Sequence, residues 1–144
     1  WVWEGGVWEE GLLTGSGGSP GARAMSGSGM APDGSLAVFG GVVAPGSGAG
    51  GGEGDVVSPF SVVEVADAWV WEGGVGGRWR LLGHGPTTVI PGPAVRHSSC
   101  VAWEGQKLWV FGGASQFSDV APIVFDDVWL LEAGKWVEVT PRTP

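Results

Sequence analysis

The sequence has no tyrosine and no asparagine, a single cysteine and only seven lysine and arginine residues. Because Cys100 is the single cysteine, the chain can form no intrachain disulfide and no metal site built from several cysteines. The lack of asparagine removes every N-glycosylation sequon. Fifteen acidic residues give a net charge of −8, which is unsuited to phosphate groups or anionic membrane surfaces. No apolar run approaches the about 20 residues of a membrane-spanning helix. We therefore predict no nucleic-acid partner, no membrane insertion and no cofactor, and composition fixes no compartment.

Glycine, by contrast, is abundant, at 29 of 144 residues, without the triplet period of collagen. Ten tryptophans, five phenylalanines and many valines favour strands over helices. No window carries a sustained apolar period of 3.6 residues, so we predict no helix of useful length. Hydrophobic residues make up 43% of the chain, which argues against wholesale disorder. The predicted class is all-β, with tight turns at many of the glycines.

A tryptophan-rich element occurs three times. The stretch WVWEGGV stands at Trp1–Val7 and again at Trp69–Val75, and a looser version, WLLEAG, stands at Trp129–Gly134. Each copy is followed by a further tryptophan, and these are Trp8, Trp79 and Trp136. Recurrence of this kind is the sequence signature of a repeat architecture.

A second element, VFGG, occurs at Val38–Gly41 and at Val110–Gly113. Each copy is preceded by an arginine that leads into small residues, at Arg23 and Arg96. The first repeat is longer because it carries a Gly-rich tract after VFGG. We predict that Val43–Asp55 is mobile, since it has too little apolar surface to offset the entropy of ordering.

Each repeat divides into four short strands, A to D. In the second repeat these are A, His97–Trp103; B, Lys107–Phe111, ended by Gly112-Gly113; C, Asp127–Leu131; and D, Lys135–Val139. Side chains in strand C alternate between two apolar faces, which is typical of a sheet packed between two neighbours.

Taken together, the Arg-led strand, the apolar strand ending in Gly-Gly, the aromatic residue in strand C and the spaced tryptophan in strand D resemble the kelch motif. Without the Gly-rich tract the repeat approaches the kelch period of about 50 residues. The resemblance covers nearly the whole chain and implies β-propeller blades of four antiparallel strands. It implies strands C and D of one blade plus a link at 1–22, a blade at 23–82 with an insertion at 43–57, a blade at 96–139, and a link toward a further blade at 140–144.

Propellers close with typically four to eight blades, so we expect an incomplete arc of a larger propeller. The remaining blades would belong to the same longer chain or, as the alternative, to another chain.

The resemblance also supplies candidate site residues. In kelch relatives an arginine before strand A can face the central mouth and hold an acidic partner, which makes Arg23 and Arg96, with the adjacent His97, candidate partner-binding residues. The alternative is that each arginine braces loops of the neighbouring blade and that His97 is a structural hydrogen-bonding residue. A mouth-facing Arg96 would contribute little to stability.

Other motif positions are predicted to pack the blades. These are Trp69, Trp79, Trp129 and Trp136, together with the glycines Gly40, Gly41, Gly112 and Gly113. Truncation of Trp136 should therefore be costly.

The predicted function is a non-catalytic protein-interaction or scaffold module. It would present its B–C loops, Val42–Val63 and Ala114–Val124, and its D–A loops, Leu12–Ala22 and Gly83–Val95, to protein partners that the sequence does not identify. One alternative is an enzyme resembling the galactose oxidase group, with its active site outside this segment because the chain has no tyrosine. Another is a carbohydrate-binding, cell-surface propeller, suggested by the additional Trp3, Trp71 and Trp103.

Overall fold

A computed structural model describes residues 2–4, 6–9, 18–44, 62–73, 76–85, 91–115 and 121–140. These ranges contain strands and turns and no helix, so the prediction of an all-β chain is confirmed. The strands are β1 Val2–Glu4, β2 Val7–Glu9, β3 Arg23–Ala24, β4 Gly27–Met30, β5 Leu36–Val43, β6 Val63–Glu72, β7 Arg78–Gly83, β8 Cys100–Glu104, β9 Lys107–Ser115, β10 Ile123–Glu132 and β11 Lys135–Glu138. The tract predicted to be mobile lies outside the described residues from position 45 onward.

The strands form three antiparallel sheets. The strands β1 and β2 make a hairpin, in which Trp3 is paired with Trp8. The first sheet contains β3 to β7, and the second sheet contains β8 to β11 in the order β11-β10-β9-β8. In the first sheet, β3 and β4 both pair with β5, because the edge strand is interrupted at Met25, which has a φ of 55°. Each of the two larger sheets therefore follows the chain as a meander.

The Gly-Gly pairs do not end their strands as the sequence predicted. The strand β9 continues through Gly112-Gly113 to Ser115, and its partner β10 begins at Ile123. The ladder between β9 and β10 shifts register between Phe125 and Val128. Between these positions β10 has one residue more than β9, and a bulge in β10 absorbs that residue and lets pairing resume beyond it.

The core lies between the two larger sheets. Ala37, Phe39 and Ala68 of the first sheet are buried against Val110 and Trp136 of the second. The rings of Phe39 and Trp136 meet edge to face, with centroids 5.5 Å apart. These side chains alternate along their strands with residues on the opposite face, as the pleat requires.

Two glycines in β4 let the sheets approach each other closely. A Cβ atom added to Gly27 would lie 2.7 Å from a methyl carbon of Val101, and one added to Gly29 would lie 2.7 Å from the Val101 carbonyl oxygen. Glycine at both positions leaves room for the Val101 side chain against the backbone of the first sheet.

Candidate functional site

Arg96 precedes β8, and its side chain is 1% exposed. The guanidinium group donates hydrogen bonds to both carboxylate oxygens of Asp127 in β10, at 2.5 and 2.8 Å, and to the carbonyl oxygen of Gly112, at 2.9 Å. Its Nε donates to the carbonyl oxygen of Ala94 at 3.0 Å. The ring of Phe125 lies 3.9 Å from the guanidinium carbon. A bidentate guanidinium–carboxylate pair fixes both position and orientation, so Arg96 ties the start of β8 to β9 and β10.

Arg23 makes the same set of contacts in the first sheet. Its side chain is 5% exposed and donates to the two carboxylate oxygens of Asp67 in β6, at 2.8 and 3.0 Å. It also donates to the carbonyl oxygen of Gly40, at 3.0 Å, and its Nε donates to that of Pro20, at 2.9 Å. Both sheets are therefore held by one bonding pattern. In each, the arginine donates to a glycine carbonyl oxygen, in β5 or β9, and to an aspartate of the next strand, β6 or β10.

A tryptophan completes each arrangement. The indole Nε1 of Trp69 donates to Asp67 at 2.5 Å, and that of Trp129 donates to Asp127 at 2.7 Å. Burial would raise the pKa of Asp127, but the hydrogen bonds from Arg96 and Trp129 outweigh it and lower that pKa. We call each set of three side chains an Arg–Asp–Trp brace: Arg23, Asp67 and Trp69 in the first sheet, and Arg96, Asp127 and Trp129 in the second.

The contacts of the braces concern whether Arg23 and Arg96 bind a partner or stabilise the fold. Both guanidinium groups bind carboxylates of their own sheet, so the hypothesis that they hold an acidic partner stays a prediction. The alternative of a structural brace fits these contacts, since each side chain bonds to its own sheet and to a carbonyl oxygen of the preceding D–A loop, Pro20 for Arg23 and Ala94 for Arg96. Sequence reasoning missed Asp67. The available signal was an aspartate two residues before the tryptophan in both repeats, at Asp67 and Asp127.

The four predicted packing glycines lie beside the braces. All have positive φ, from 53° at Gly112 to 104° at Gly113. A Cβ atom at Gly40 would lie 2.5 Å from the carbonyl oxygen of Arg96, and one at Gly41 would lie 2.6 Å from that of Ala24. These positions therefore require glycine both for conformation and for close backbone approach.

The backbone around Arg96 joins the two sheets. Gly41 N donates to the Arg96 carbonyl oxygen at 2.9 Å, and Ser98 N donates to that of Met25 at 2.7 Å. Arg96 N donates to the carbonyl oxygen of Val65 at 3.4 Å. We call this set of bonds the seam. The seam and the brace meet at Arg96, whose side chain holds one sheet while its backbone holds the other.

His97 lies at the seam, and it is buried with 7% of its surface exposed. Its Nε2 is 3.6 Å from Oε1 of Glu64 in β6, whose other carboxylate oxygen accepts a hydrogen bond from Ser115 Oγ at 2.5 Å. Its Nδ1 lies 3.0 Å from Ser98 Oγ. His97 and Ser115 thus contact a carboxylate of the first sheet from the second. A direct role for His97 in binding a partner stays a prediction.

The predicted packing tryptophans fall into two groups. Trp136 is buried between the sheets and donates from Nε1 to the carbonyl oxygen of His84 at 3.0 Å, and Trp129 packs against the same core. Trp69 and Trp79 lie on the other face of the first sheet, where Trp79 meets the edge of Trp71 with centroids 5.5 Å apart. Only the first group is placed between two described sheets.

The described ranges hold no group of three or more His, Cys, Asp or Glu side chains arranged to bind a metal ion. The part of the chain that the structure describes has no helix long and apolar enough to cross a membrane.

The comparisons with known proteins bear on the fold alone. No family model matches the chain, and no curated protein matches it in sequence. Among solved structures, 44 chains match, and one of them is described as the structure of YjhT. The likeness to YjhT has a TM-score of 0.53 at 17% identity, and it covers 88% of this chain and 30% of that one. This chain therefore spans about a third of the length of the structure that it resembles, and the two share an all-β fold.

Proposed function

We propose that the chain is an arc of a kelch-type β-propeller and serves as a non-catalytic protein-interaction module. The two larger sheets would be complete blades, the β1–β2 hairpin would belong to a preceding blade, and further blades would come from the same longer chain. Support comes from the internal repeat of one sheet topology with one Arg–Asp–Trp brace. The similarity to a chain about three times as long is consistent with an arc.

The binding surface would be the end of the sheets from which the longer connections leave. Arg23 pairs with Val43, and Val43 pairs with Val63, so the start of β3, the end of β5 and the start of β6 lie side by side at one end of the first sheet. Ile123 pairs with Ser115, so the start of β10 and the end of β9 lie at the corresponding end of the second sheet. We call this side the loop end, and the side of the short hairpin turns the turn end. The braces lie near the loop end and would hold it rigid.

Exposed apolar side chains at the loop end are the observation that carries the proposal. Val124 is 78% exposed and Ile123 is 53% exposed, and Met25, Val63 and Val95 are also well exposed there. Ile123 and Val124 are consecutive in β10 and lie on its two faces, so apolar surface is exposed on both sides of this strand end. Exposed apolar surface marks sites of protein–protein contact. We infer that partner proteins dock on this end.

The test is partner capture by proximity labelling in cells, followed by direct binding with the purified partner. The double variant Ile123→Asp with Val124→Asp should lose capture of the partner at least about tenfold, because two apolar contacts are replaced by charge. The matched control is Met30→Asp, which changes a side chain that is 71% exposed at the turn end. Equal capture by the double variant and by the control, with unchanged melting temperatures, would remove the loop end as the docking surface.

A further inference from the structure

A cleft of about 490 Å³ opens between the two larger sheets at the turn end. Its rim is formed by the turn between β4 and β5 on one side and by the turns β8–β9 and β10–β11 on the other. The seam lies at the opposite end of the sheets. A volume of this order is within the range of small binding sites in proteins, about 300–1,000 Å³.

The polarity of the cleft changes with depth. Its deepest side chains are apolar and buried: Val70, Leu108 and Leu131, exposed by 4% or less. Trp103 is half-buried at the side of the cleft, and its indole donates to the Gly29 carbonyl oxygen at 3.2 Å. An occupant would therefore place an apolar group at the bottom and polar groups at the mouth.

The rim carries more negative than positive charge. Arg80 is paired with Glu72, through hydrogen bonds of 3.1 and 2.5 Å from its Nε and one terminal nitrogen. Asp33 accepts a hydrogen bond from the Ser35 backbone N–H at 2.9 Å, and among the described residues it has no ion-pair partner. The bond from Arg80 lowers the pKa of Glu72, and the bond from Ser35 lowers that of Asp33. Both carboxylates are therefore charged at neutral pH, and the lining of the cleft holds these two carboxylates and one guanidinium. The charge of Arg78, which is outside the lining, also acts on Glu72.

We propose that this cleft binds an extended peptide of a partner protein, with one branched aliphatic side chain in contact with Val70, Leu108 and Leu131 and a basic side chain beside it at Asp33. The inference rests on the proposed protein-interaction function and adds a second surface to it. Charge complementarity supports a basic neighbour, both at the rim and through the chain's net charge of −8, which attracts cations over distance. Exposed Gln106 at the rim supplies both donors and acceptors for the backbone of such a peptide.

The experiment measures fluorescence anisotropy of a labelled hexapeptide, blocked at both ends, with a central leucine between two lysines, titrated with the intact protein. Replacing the leucine by serine should weaken binding about tenfold or more, since burial of a leucine is lost. Replacing both lysines by glutamate should weaken it further than replacing both by glutamine.

Variants of the protein locate the site. Asp33→Asn keeps the acceptor for Ser35 and should weaken binding of the lysine peptide about two- to fivefold. Gln106→Lys should weaken it and Gln106→Glu should strengthen it by similar factors. The control Glu138→Gln removes an exposed carboxylate outside the cleft and should have no effect.

Two outcomes would overturn the proposal. One is equal affinity for the leucine and serine peptides, and the other is an equal effect of Asp33→Asn and Glu138→Gln. Binding of a neutral disaccharide such as maltose, without binding of any peptide, would assign the cleft to a different ligand and overturn it also. The double variant Ile123→Asp with Val124→Asp should leave peptide affinity unchanged, so a failure at the turn end is distinguishable from a failure at the loop end.

Discussion

At the scale of single residues, the chain depends on two ion pairs that are largely buried. Desolvation of Arg96 and Asp127 is costly, but two hydrogen bonds within the pair and three to other residues offset that cost. The pair matters most when one partner is removed, because the other is then left charged and without its partner in the interior. The tryptophan of each brace donates a further hydrogen bond to the aspartate, from Trp69 to Asp67 and from Trp129 to Asp127.

Asp127→Ala is therefore expected to lower the free energy of unfolding by about 3–5 kcal/mol. Glu72→Gln is the control, because it breaks an ion pair whose arginine is half exposed, and should cost less than about 1 kcal/mol. Urea denaturation of both variants measures the difference. Equal losses would mean that the brace contributes no more than a surface pair.

Stability should fall in acid because the folded state lowers the pKa of Asp127. A lowered carboxyl pKa stabilises the fold above the unfolded value, near 4, and this contribution is lost as pH falls through the lower folded value. Unfolding free energies of wild type and Asp127→Asn should therefore converge below about pH 4. A constant difference between them from pH 7 to pH 2 would contradict the assignment.

At the scale of elements, each Gly-Gly pair lies opposite a bulge, because the partner strand, β6 or β10, carries one extra residue there. Gly40-Gly41 lies where the ladder between β5 and β6 shifts register, and Gly41 also donates to the seam. The sequence located these glycines and assigned them to packing, but not the bulge. Whether a strand ends or bulges at a glycine pair depends on whether the partner strand continues, which is a long-range property.

Gly41→Ala is expected to destabilise more than Gly105→Ala. Both glycines have positive φ, at 97° and 59°, so each alanine carries a conformational cost of about 1–3 kcal/mol. At Gly105 nothing lies within 4 Å of the added Cβ, whereas at Gly41 the Ala24 carbonyl oxygen would lie 2.6 Å away. The clash should add about 1–3 kcal/mol. Thermal melts of the two variants give the comparison, and equal shifts would show that the backbone at Gly41 relaxes freely.

Trp136→Ala and Arg96→Ala should now give comparable losses. Truncation of the buried Trp136 should cost about 3–5 kcal/mol. The sequence left two interpretations of Arg96 open, a mouth-facing residue whose loss costs little stability and a structural brace. Burial of Arg96 against Asp127 predicts a loss of the same order as for Trp136. Melting of both variants decides between a brace and a partner-binding residue: a small loss for Arg96→Ala would restore the earlier hypothesis.

At the scale of the whole molecule, the second sheet has an apolar face that no described residue covers. Phe111 is 41% exposed and Val137 is 51% exposed on that face. Phe111 pairs with Cys100 in the same way as Phe39 pairs with Gly27 in the first sheet. The face of the first sheet that contains Phe39 is covered by Trp136. Because Phe111 and Phe39 hold equivalent positions, we expect a further sheet to pack on the face that contains Phe111, as the second sheet packs on Phe39. This expectation supports the proposed arc.

The isolated 144-residue segment is therefore expected to self-associate. Exposed sheet faces and edges promote association when nothing covers them. Light scattering after size exclusion should show species larger than a monomer, and Phe111→Asp should reduce their share. A monodisperse monomer with a sharp cooperative melt would show that the segment is self-sufficient, and the proposal of a larger propeller would then be withdrawn.

The sequence by itself determined the all-β class, the repeat and the positions of its arginines, glycines and tryptophans, because composition and short-range spacing are properties of the chain alone. It could not show that Arg23 binds Asp67, which lies 44 residues away, or that Trp136 packs on Phe39 of the other sheet. Those contacts depend on register and on the docking of one sheet against another. Only the tertiary structure shows that the two arginine side chains are buried against aspartates of their own sheets. A guanidinium group can bind a partner or its own sheet equally well, and the fold decides between them by bringing a carboxylate within reach.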